Sequence, residues 1–402
     1  MKLLYIHQYF KFPTSAGGTR SYDLSTQFVK NGIDVTMVTS SSALPDVKLE
    51  KRWTYMERDG VRFWILKCDY SHNMSIFRRI MSFFVFVIYT SFKVCKIEAD
   101  LLLATSTPLT IAIPAIIKKK ITKTPFIFEV RDVWPEGPIQ QGFVKNKFLI
   151  KYLRKLEVYI YNQAEYVVPL SIGMKNDILT RSNIKNIKVI PNISELDRFS
   201  NMTKKCDLPI DLSDKKMILY AGTLGPVNDI LYVAKLAERL INIDSSIVFF
   251  VIGDGKQKRM IIDYCDKANI LNKNIFFIDE ISKDTLPYIY SLATMGSSFV
   301  WDYKIKWDNS ANKVFDTLAA GKPLLINYQG WQADLINMNH CGFVLPYNIL
   351  DRDILRFVRY VNDSEVIKNE GRNARRKAID FSLPIAVNKY MEIFNFIIDE
   401  KA

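Results

Sequence analysis

The 402-residue sequence predicts an α/β protein built of two doubly wound, Rossmann-like domains. Three observations carry that expectation. Short apolar runs alternate with helical patterns through the first half, as parallel βαβ units require. A second cycle of the same kind begins after residue 205, without sequence repetition. Between the two cycles, residues 193–212 are polar and hold no long apolar run.

The elements follow in order. Leu3–Tyr9 reads as a strand, and Ala16-Gly17-Gly18 as the turn after it. Helical periodicity runs from Ser21 to Val29 and ends at Asn31-Gly32, before the strand Val35–Thr39. Further strands are expected at Val61–Leu66, Leu101–Ala104, Phe126–Val130, Tyr166–Leu170 and Lys188–Ile190. The second cycle opens with Met217–Ala221, a helix over Asp229–Leu240 and the strand Ile247–Ile252. It continues with strands at Ile275–Ile278, Gly296–Val300 and Pro323–Asn327, and the chain closes on a helical pattern over Asn388–Ile398. The expected division is an N-terminal domain over 1–195, a linker over 196–212, a second domain over 213–384, and a C-terminal helix over 385–402 that returns to the first domain. Ligands of such sheets bind at the carboxyl ends of the strands, here in a cleft between the two domains.

Composition narrows the chemistry. A chain that is 49% hydrophobic and 24% charged is globular. The five cysteines (Cys68, Cys95, Cys206, Cys265, Cys341) are odd in number and scattered, as reduced thiols in a cytosol would be. With only His7, His72 and His340, no histidine-rich metal site is expected. The apolar run at the N-terminus stops too soon for a signal peptide. The apolar run Ile80–Tyr89 is too short to span a bilayer, so no transmembrane helix is expected.

The net charge of +13 is unevenly placed. Residues 1–200 carry 29 Lys/Arg against 17 Asp/Glu, and residues 201–402 carry 26 against 25. The first half should therefore attract something anionic, such as lipid headgroups or a diphosphate. Lys147, Lys151, Arg154 and Lys155 share one side of a helical wheel, opposite Leu149, Leu153, Leu156 and Ile160. Such a helix suits an anionic membrane surface, with Phe77–Phe86 as an added apolar contact. No nucleic-acid motif with interleaved stacking aromatics is present.

Three segments carry candidate chemistry. Gly17-Gly18 lets the backbone approach a ligand at the start of a helix, but the following Thr19-Arg20 departs from a dinucleotide fingerprint. Glu129-Val-Arg131-Asp132-Val-Trp134-Pro-Glu136 gathers carboxylates, an arginine and a tryptophan just after a strand. Asp308-Asn309-Ser310-Ala311-Asn312-Lys313-Val-Phe-Asp316 sets two carboxylates around a helix start, whose free N–H groups and lysine suit a diphosphate.

The order of these segments resembles the retaining glycosyltransferases of family 4, which have the GT-B fold. Within it, Glu129 to Glu136 is similar to bacterial members that build O-antigen and capsule, including the N-acetylfucosamine-transferase-like group. Tyr220-Ala-Gly222-Thr223-Leu-Gly225 and Val251-Ile-Gly253-Asp254-Gly255 resemble donor-domain loops, and Asn312 to Pro323 resembles the donor motif. There are departures. Both ends of the family's paired-glutamate motif are aspartate here (Asp308, Asp316), and two customary basic positions hold Thr223 and Asn228. Lys313 and Arg20 are the expected replacements.

The resemblance implies transfer, with retention, of a sugar from a UDP-linked donor, an N-acetylated hexosamine or deoxyhexosamine. The implied acceptor is a polyprenyl-diphosphate-linked saccharide of O-antigen, capsule or exopolysaccharide synthesis. No metal and no cofactor beyond the donor are implied. The expected location is cytoplasmic, on the inner face of the plasma membrane. Asp132, Arg131, Asp308 and Lys313 are the implied catalytic residues. Gly17, Gly18, Arg20, Gly222, Thr223, Gly253, Asp254, Gly255, Asp279, Ala311, Asn312 and Asp316 are the implied donor contacts. The rival readings are a nucleotide-sugar epimerase of the same fold and a peripheral membrane scaffold with a degenerate donor site.

Overall fold

A computed structural model describes residues 1–402 except 45, 46, 50, 69–75, 141, 143, 203, 304–306 and 401–402. His72 lies outside the described residues, as do the side chains of Phe77 and Arg79. The chain forms two units: residues 1–12, 19–191 and 384–402 make the first, and residues 13–18 and 192–383 the second.

The first unit is built on β1 (Lys2–Ile6), α1 (Arg20–Lys30), β2 (Asp34–Ser40), β3 (Trp53–Arg58), β4 (Val61–Leu66) and α2 (Ile76–Cys95). It continues with β5 (Leu101–Thr105), α3 (Ala112–Thr122), β6 (Phe126–Val130), α4 (Glu136–Gln140), α5 (Lys147–Gln163), β7 (Tyr166–Pro169) and α6 (Ile172–Arg181). Its seven strands run in the order β3-β4-β2-β1-β5-β6-β7, all parallel except for the β3–β4 hairpin. Strands β5 and β6 are buried at every residue, because a parallel sheet is covered on both faces. That is why they appear in the sequence as unbroken apolar runs and not as alternations. The sheet grows one way through β2 and the other way through β5, so its topological switch point lies beside β1.

Right-handed crossovers place α2, α3 and α5, which lead successively to β5, β6 and β7, on one face. The three pack in series, α2 on α3 and α3 on α5. The expected strand at Lys188–Ile190 does not form. Residues 186–190 run beside β7 through one isolated bridge, Val167↔Ile187, and three backbone bonds, and the chain then leaves the sheet edge and passes into the second unit.

The second unit contains α7 (Leu196–Ser200), β8 (Lys216–Ala221), α8 (Ile230–Leu240), β9 (Ile247–Ile252), α9 (Lys258–Lys267), β10 (Ile275–Ile278), α10 (Leu286–Leu292) and β11 (Met295–Ser298). Next come α11 (Asn312–Ala319), β12 (Leu324–Ile326), α12 (Trp331–Asn339), β13 (Gly342–Val344), α13 (Asp351–Asn362) and α14 (Ser364–Ile379). Its six strands are all parallel, in the order β10-β9-β8-β11-β12-β13. Residues 196–212, read from sequence as a linker, pack onto this unit: Phe199, Cys206, Leu208, Ile210 and Leu212 lie against its core. The final helix, α15 (Leu383–Asp399), belongs mostly to the first unit. There Phe28 of α1 meets the rings of Tyr390 and Phe394 at 5.7 and 5.2 Å.

Candidate functional site

The carboxyl ends of β8, β9 and β11 in the second unit form the frame of the candidate donor site. Strand β8 ends at Ala221, and Gly222 follows with its N–H bonded to Ile252 O at 2.9 Å. A Cβ on Gly253 would stand 2.1 Å from Gly222 O, at a φ of +143° that side chains rarely adopt. Gly255 is held as tightly against Leu224. The loops after β8 and β9 are therefore in backbone contact, which only glycine permits. Asp254 lies between the two glycines, exposed, and its carbonyl accepts from Leu224 N–H.

Helix α11 points its N-terminus at this frame. Its N-cap residue, Ala311, is extended and contributes no side-chain cap. The first-turn N–H groups thus keep the anion-attracting character of a helix start. Lys313, in that turn, places Nζ 3.3 Å from Tyr220 Oη, 3.3 Å from Asn228 Oδ1 and 4.6 Å from the Tyr220 ring. A Cβ on Gly222 would meet its Cε at 3.0 Å. Burial pushes the Lys313 ammonium down to about 8, against the opposing pull of Asp316. Asn228 holds Thr223 O at 2.8 Å and Lys313 Nζ at 3.3 Å, so the neutral positions cradle the lysine.

The segment Pro13–Gly18 groups with this unit. Gly17 adopts φ +108°. A Cβ on Gly18 would fall 2.2 Å from Asn312 Nδ2, so the glycine loop lies directly on the first residue of α11. One turn on, Asp316 pairs with Lys283 at 2.5 Å, both side chains being buried. Sequence reading did not find Lys283. Asp279 is exposed and pairs with Lys258 at 2.5 Å. Asp308 is partly buried in the loop before α11, where Asn309 Oδ1 accepts from Ala311 N–H at 3.1 Å.

Arg20 requires a correction. It was expected to neutralise a diphosphate, but its guanidinium is consumed inside the first unit. Nε bonds Glu129 at 2.8 Å, and the two terminal nitrogens bond Pro191 O at 2.5 Å and Ile190 O at 3.0 Å. The pair is closed to solvent, with side chains 1% and 0% exposed. Burial pushes the Glu129 carboxyl up, but Arg20 and Arg131 outweigh it and hold it at about 2. Thr105 and Tyr390 also donate to Glu129. Arg20 and Glu129 therefore form a structural lock between α1, β6, the end of the first unit's main segment and α15.

Arg131 and Asp132 follow β6 in the same unit. Arg131 N–H bonds Ser106 Oγ at 2.9 Å, and Asp132 is exposed. Glu136 is engaged by Arg154 at 2.7 and 3.0 Å, so it fixes α5. The catalytic set expected from sequence thus divides, with Arg131 and Asp132 on the first unit and Asp308 and Lys313 on the second.

Comparison with known proteins decides what this architecture is. Residues 209–378 match the family model described as "Glycosyl transferases group 1". Sucrose-phosphate synthase from Thermosynechococcus elongatus superposes with a TM-score of 0.74, covering 99% of both chains at 13% identity. The fold is GT-B. A second GT-B structure, Anabaena HepE in complex with UDP-glucose, gives a TM-score of 0.69 over 98% of this chain and 99% of that one, at 13% identity. By sequence, the Escherichia coli UDP-Gal:alpha-D-GlcNAc-diphosphoundecaprenol alpha-1,3-galactosyltransferase is 24% identical over 216 residues, 52% of this GT-B chain and 54% of that protein. The chain spans about half the length of the first curated relatives it matches. The family match covers β8 to α14, the part that holds Gly222, Gly253, Lys313 and Asp316.

Proposed function

We propose that this protein is a retaining glycosyltransferase that takes a sugar from a UDP-linked donor without a metal ion. The donor sugar would be an N-acetylated hexosamine or deoxyhexosamine. The acceptor would be a polyprenyl-diphosphate-linked saccharide of O-antigen, capsule or exopolysaccharide synthesis. The observation that carries the reading is Lys313 at the uncapped start of α11, against Gly222. A departing diphosphate needs positive charge and N–H donors already in place, and this arrangement offers both. Asp316 would take ribose hydroxyls, Asp308 would lie near the donor sugar, and Asp132 with Arg131 would serve the acceptor side. The Escherichia coli relative, by its name a UDP-galactose-using enzyme with a diphosphoundecaprenol-linked acceptor, supports a UDP-linked donor and a lipid-diphosphate acceptor.

The acceptor class implies a membrane surface. Among the described residues no helix is long and apolar enough to cross a membrane. One face of the first unit is nonetheless suited to lie on one. The outer side of α2 exposes Met81, Phe84, Ile88 and Phe92, spaced as a single stripe. On the same face, α5 exposes Phe148 and Tyr152, and Lys147, Lys151, Arg154, Lys155 and Arg181 line a groove of about 750 Å³. Aromatic side chains among cations suit an anionic lipid interface.

The test is turnover. Purified protein incubated with UDP-N-acetylhexosamines and a short-chain polyprenyl-diphosphate saccharide, with chelator present, should give one elongated product with the donor's anomeric configuration. Donor consumption without an acceptor would instead support the epimerase reading.

A further inference from the structure

We propose that Lys283 is a positioning residue that aims Asp316 at the ribose of the nucleotide, making the site select ribonucleotides over deoxyribonucleotides. This rests on the donor-site reading above. Lys283 lies in the loop between β10 and α10, 33 residues before Asp316, and its Nζ holds Asp316 Oδ2 at 2.5 Å. The two side chains are 4% and 8% exposed, so water scarcely competes for the pair. An ammonium on one carboxylate oxygen fixes the plane of the group. Among the described residues no donor pairs with Oδ1 of Asp316. A carboxylate with one oxygen anchored and the other unpaired offers acceptor lone pairs only. It therefore accepts from hydroxyl groups and repels phosphate.

The lysine is itself held in place. Its backbone N–H donates to Ser15 O at 3.1 Å, and the Phe199 ring lies 5.9 Å from Nζ. Ser15 belongs to the loop whose Gly18 rests on Asn312. Lys283 thus holds the glycine loop through its main chain and α11, at Asp316, through its side chain. Asp316 follows Asn312 by four residues, so both lie on one face of the helix. The two lysines near Asp316 then have separate tasks. Lys313, beside Gly222, meets the diphosphate, while the charge of Lys283 is spent on orienting the ribose acceptor.

The experiment is calorimetric titration of wild type, Lys283→Met and Lys283→Arg with UDP and with its 2′-deoxy and 3′-deoxy analogues, after thermal melts show each protein folded. Wild type should prefer UDP to at least one deoxy analogue by about tenfold or more, the effect of a hydroxyl bonded to a charged acceptor. In Lys283→Met that preference should collapse to within about threefold, while Lys283→Arg, which keeps a cation near Oδ2, retains most of it. Undiminished discrimination in Lys283→Met overturns the inference. So does an equal loss of UDP and both analogues with the ratio intact, which would mark Lys283 as a diphosphate ligand or a structural residue. A wild type that binds no nucleotide overturns the donor-site reading itself, and this inference with it.

Discussion

Replacing Lys313 by methionine separates the lysine's contribution to chemistry from its contribution to stability. The side chain keeps its length but loses an ammonium that lies 3.3 Å from Tyr220 Oη and Asn228 Oδ1 and against Gly222. A charge-assisted contact to a developing diphosphate is worth about 2–4 kcal/mol, so kcat should fall by roughly 30- to 1000-fold. Stability should move the other way. Burial lowers the lysine from 10.5 to about 8, and at about 1.4 kcal/mol per pH unit this costs the folded state on the order of 3 kcal/mol, an upper limit because the ammonium keeps some water. The unfolded chain binds the extra proton between pH 8 and 10.5, so the cost is fully present below about 8 and fades as pH rises through that window. At pH 7 the variant should therefore melt no lower than wild type. Wild-type kcat/KM for the donor should decline above about pH 8 as the ammonium is lost, and the variant should lack that limb. Steady-state kinetics with a UDP-sugar and calorimetry of both proteins provide the assay. A kcat within about twofold of wild type, or a pH profile unchanged by the substitution, would refute the assignment.

Other outcomes follow from the same geometry. Arg20→Met leaves Glu129 buried without its ion-pair partner, so it should cost about 3–5 kcal/mol of stability, read as a lower denaturant midpoint. UDP affinity of the protein that remains folded should be unchanged, and a selective loss of affinity would restore Arg20 to the donor site. Gly253→Ala forces a Cβ to within 2.1 Å of Gly222 O and should give little folded protein, whereas Gly225→Ala, whose nearest neighbour is 3.7 Å away, should be tolerated. On liposomes with anionic lipid, binding should weaken steeply between about 0.05 and 0.5 M salt, and Phe148→Ser/Tyr152→Ser should weaken it further. Indifference to salt would exclude an electrostatic contact through α5.

Much of the fold was legible because parallel strands are buried on both faces. Leu101–Thr105 and Phe126–Val130 appear as plain apolar runs, and the glycines after β8 and β9 mark backbone contacts that no other residue permits. The edges were not legible. Strand β3 is half-exposed and mixed in sequence, and β13 has only three residues. Residues 196–212 looked like a linker because they are polar and hold no long apolar run, yet Phe199, Leu208, Ile210 and Leu212 pack on the second core. In the candidate site, Lys313 and Asp316 could be singled out from sequence because they share one helix and one local pattern. Arg20 was misjudged and Lys283 missed for one reason. Their partners, Glu129 and Asp316, lie 109 and 33 residues away, and no local pattern records a tertiary ion pair.

The central claim is a working nucleotide site on the second unit, and calorimetric titration with UDP, GDP and ADP in the absence of metal tests it most directly. A working site binds UDP at micromolar concentration and the other two more weakly, and loses that binding in Asp316→Ala. Failure of all three nucleotides to bind, or UDP affinity untouched by Asp316→Ala, would contradict it.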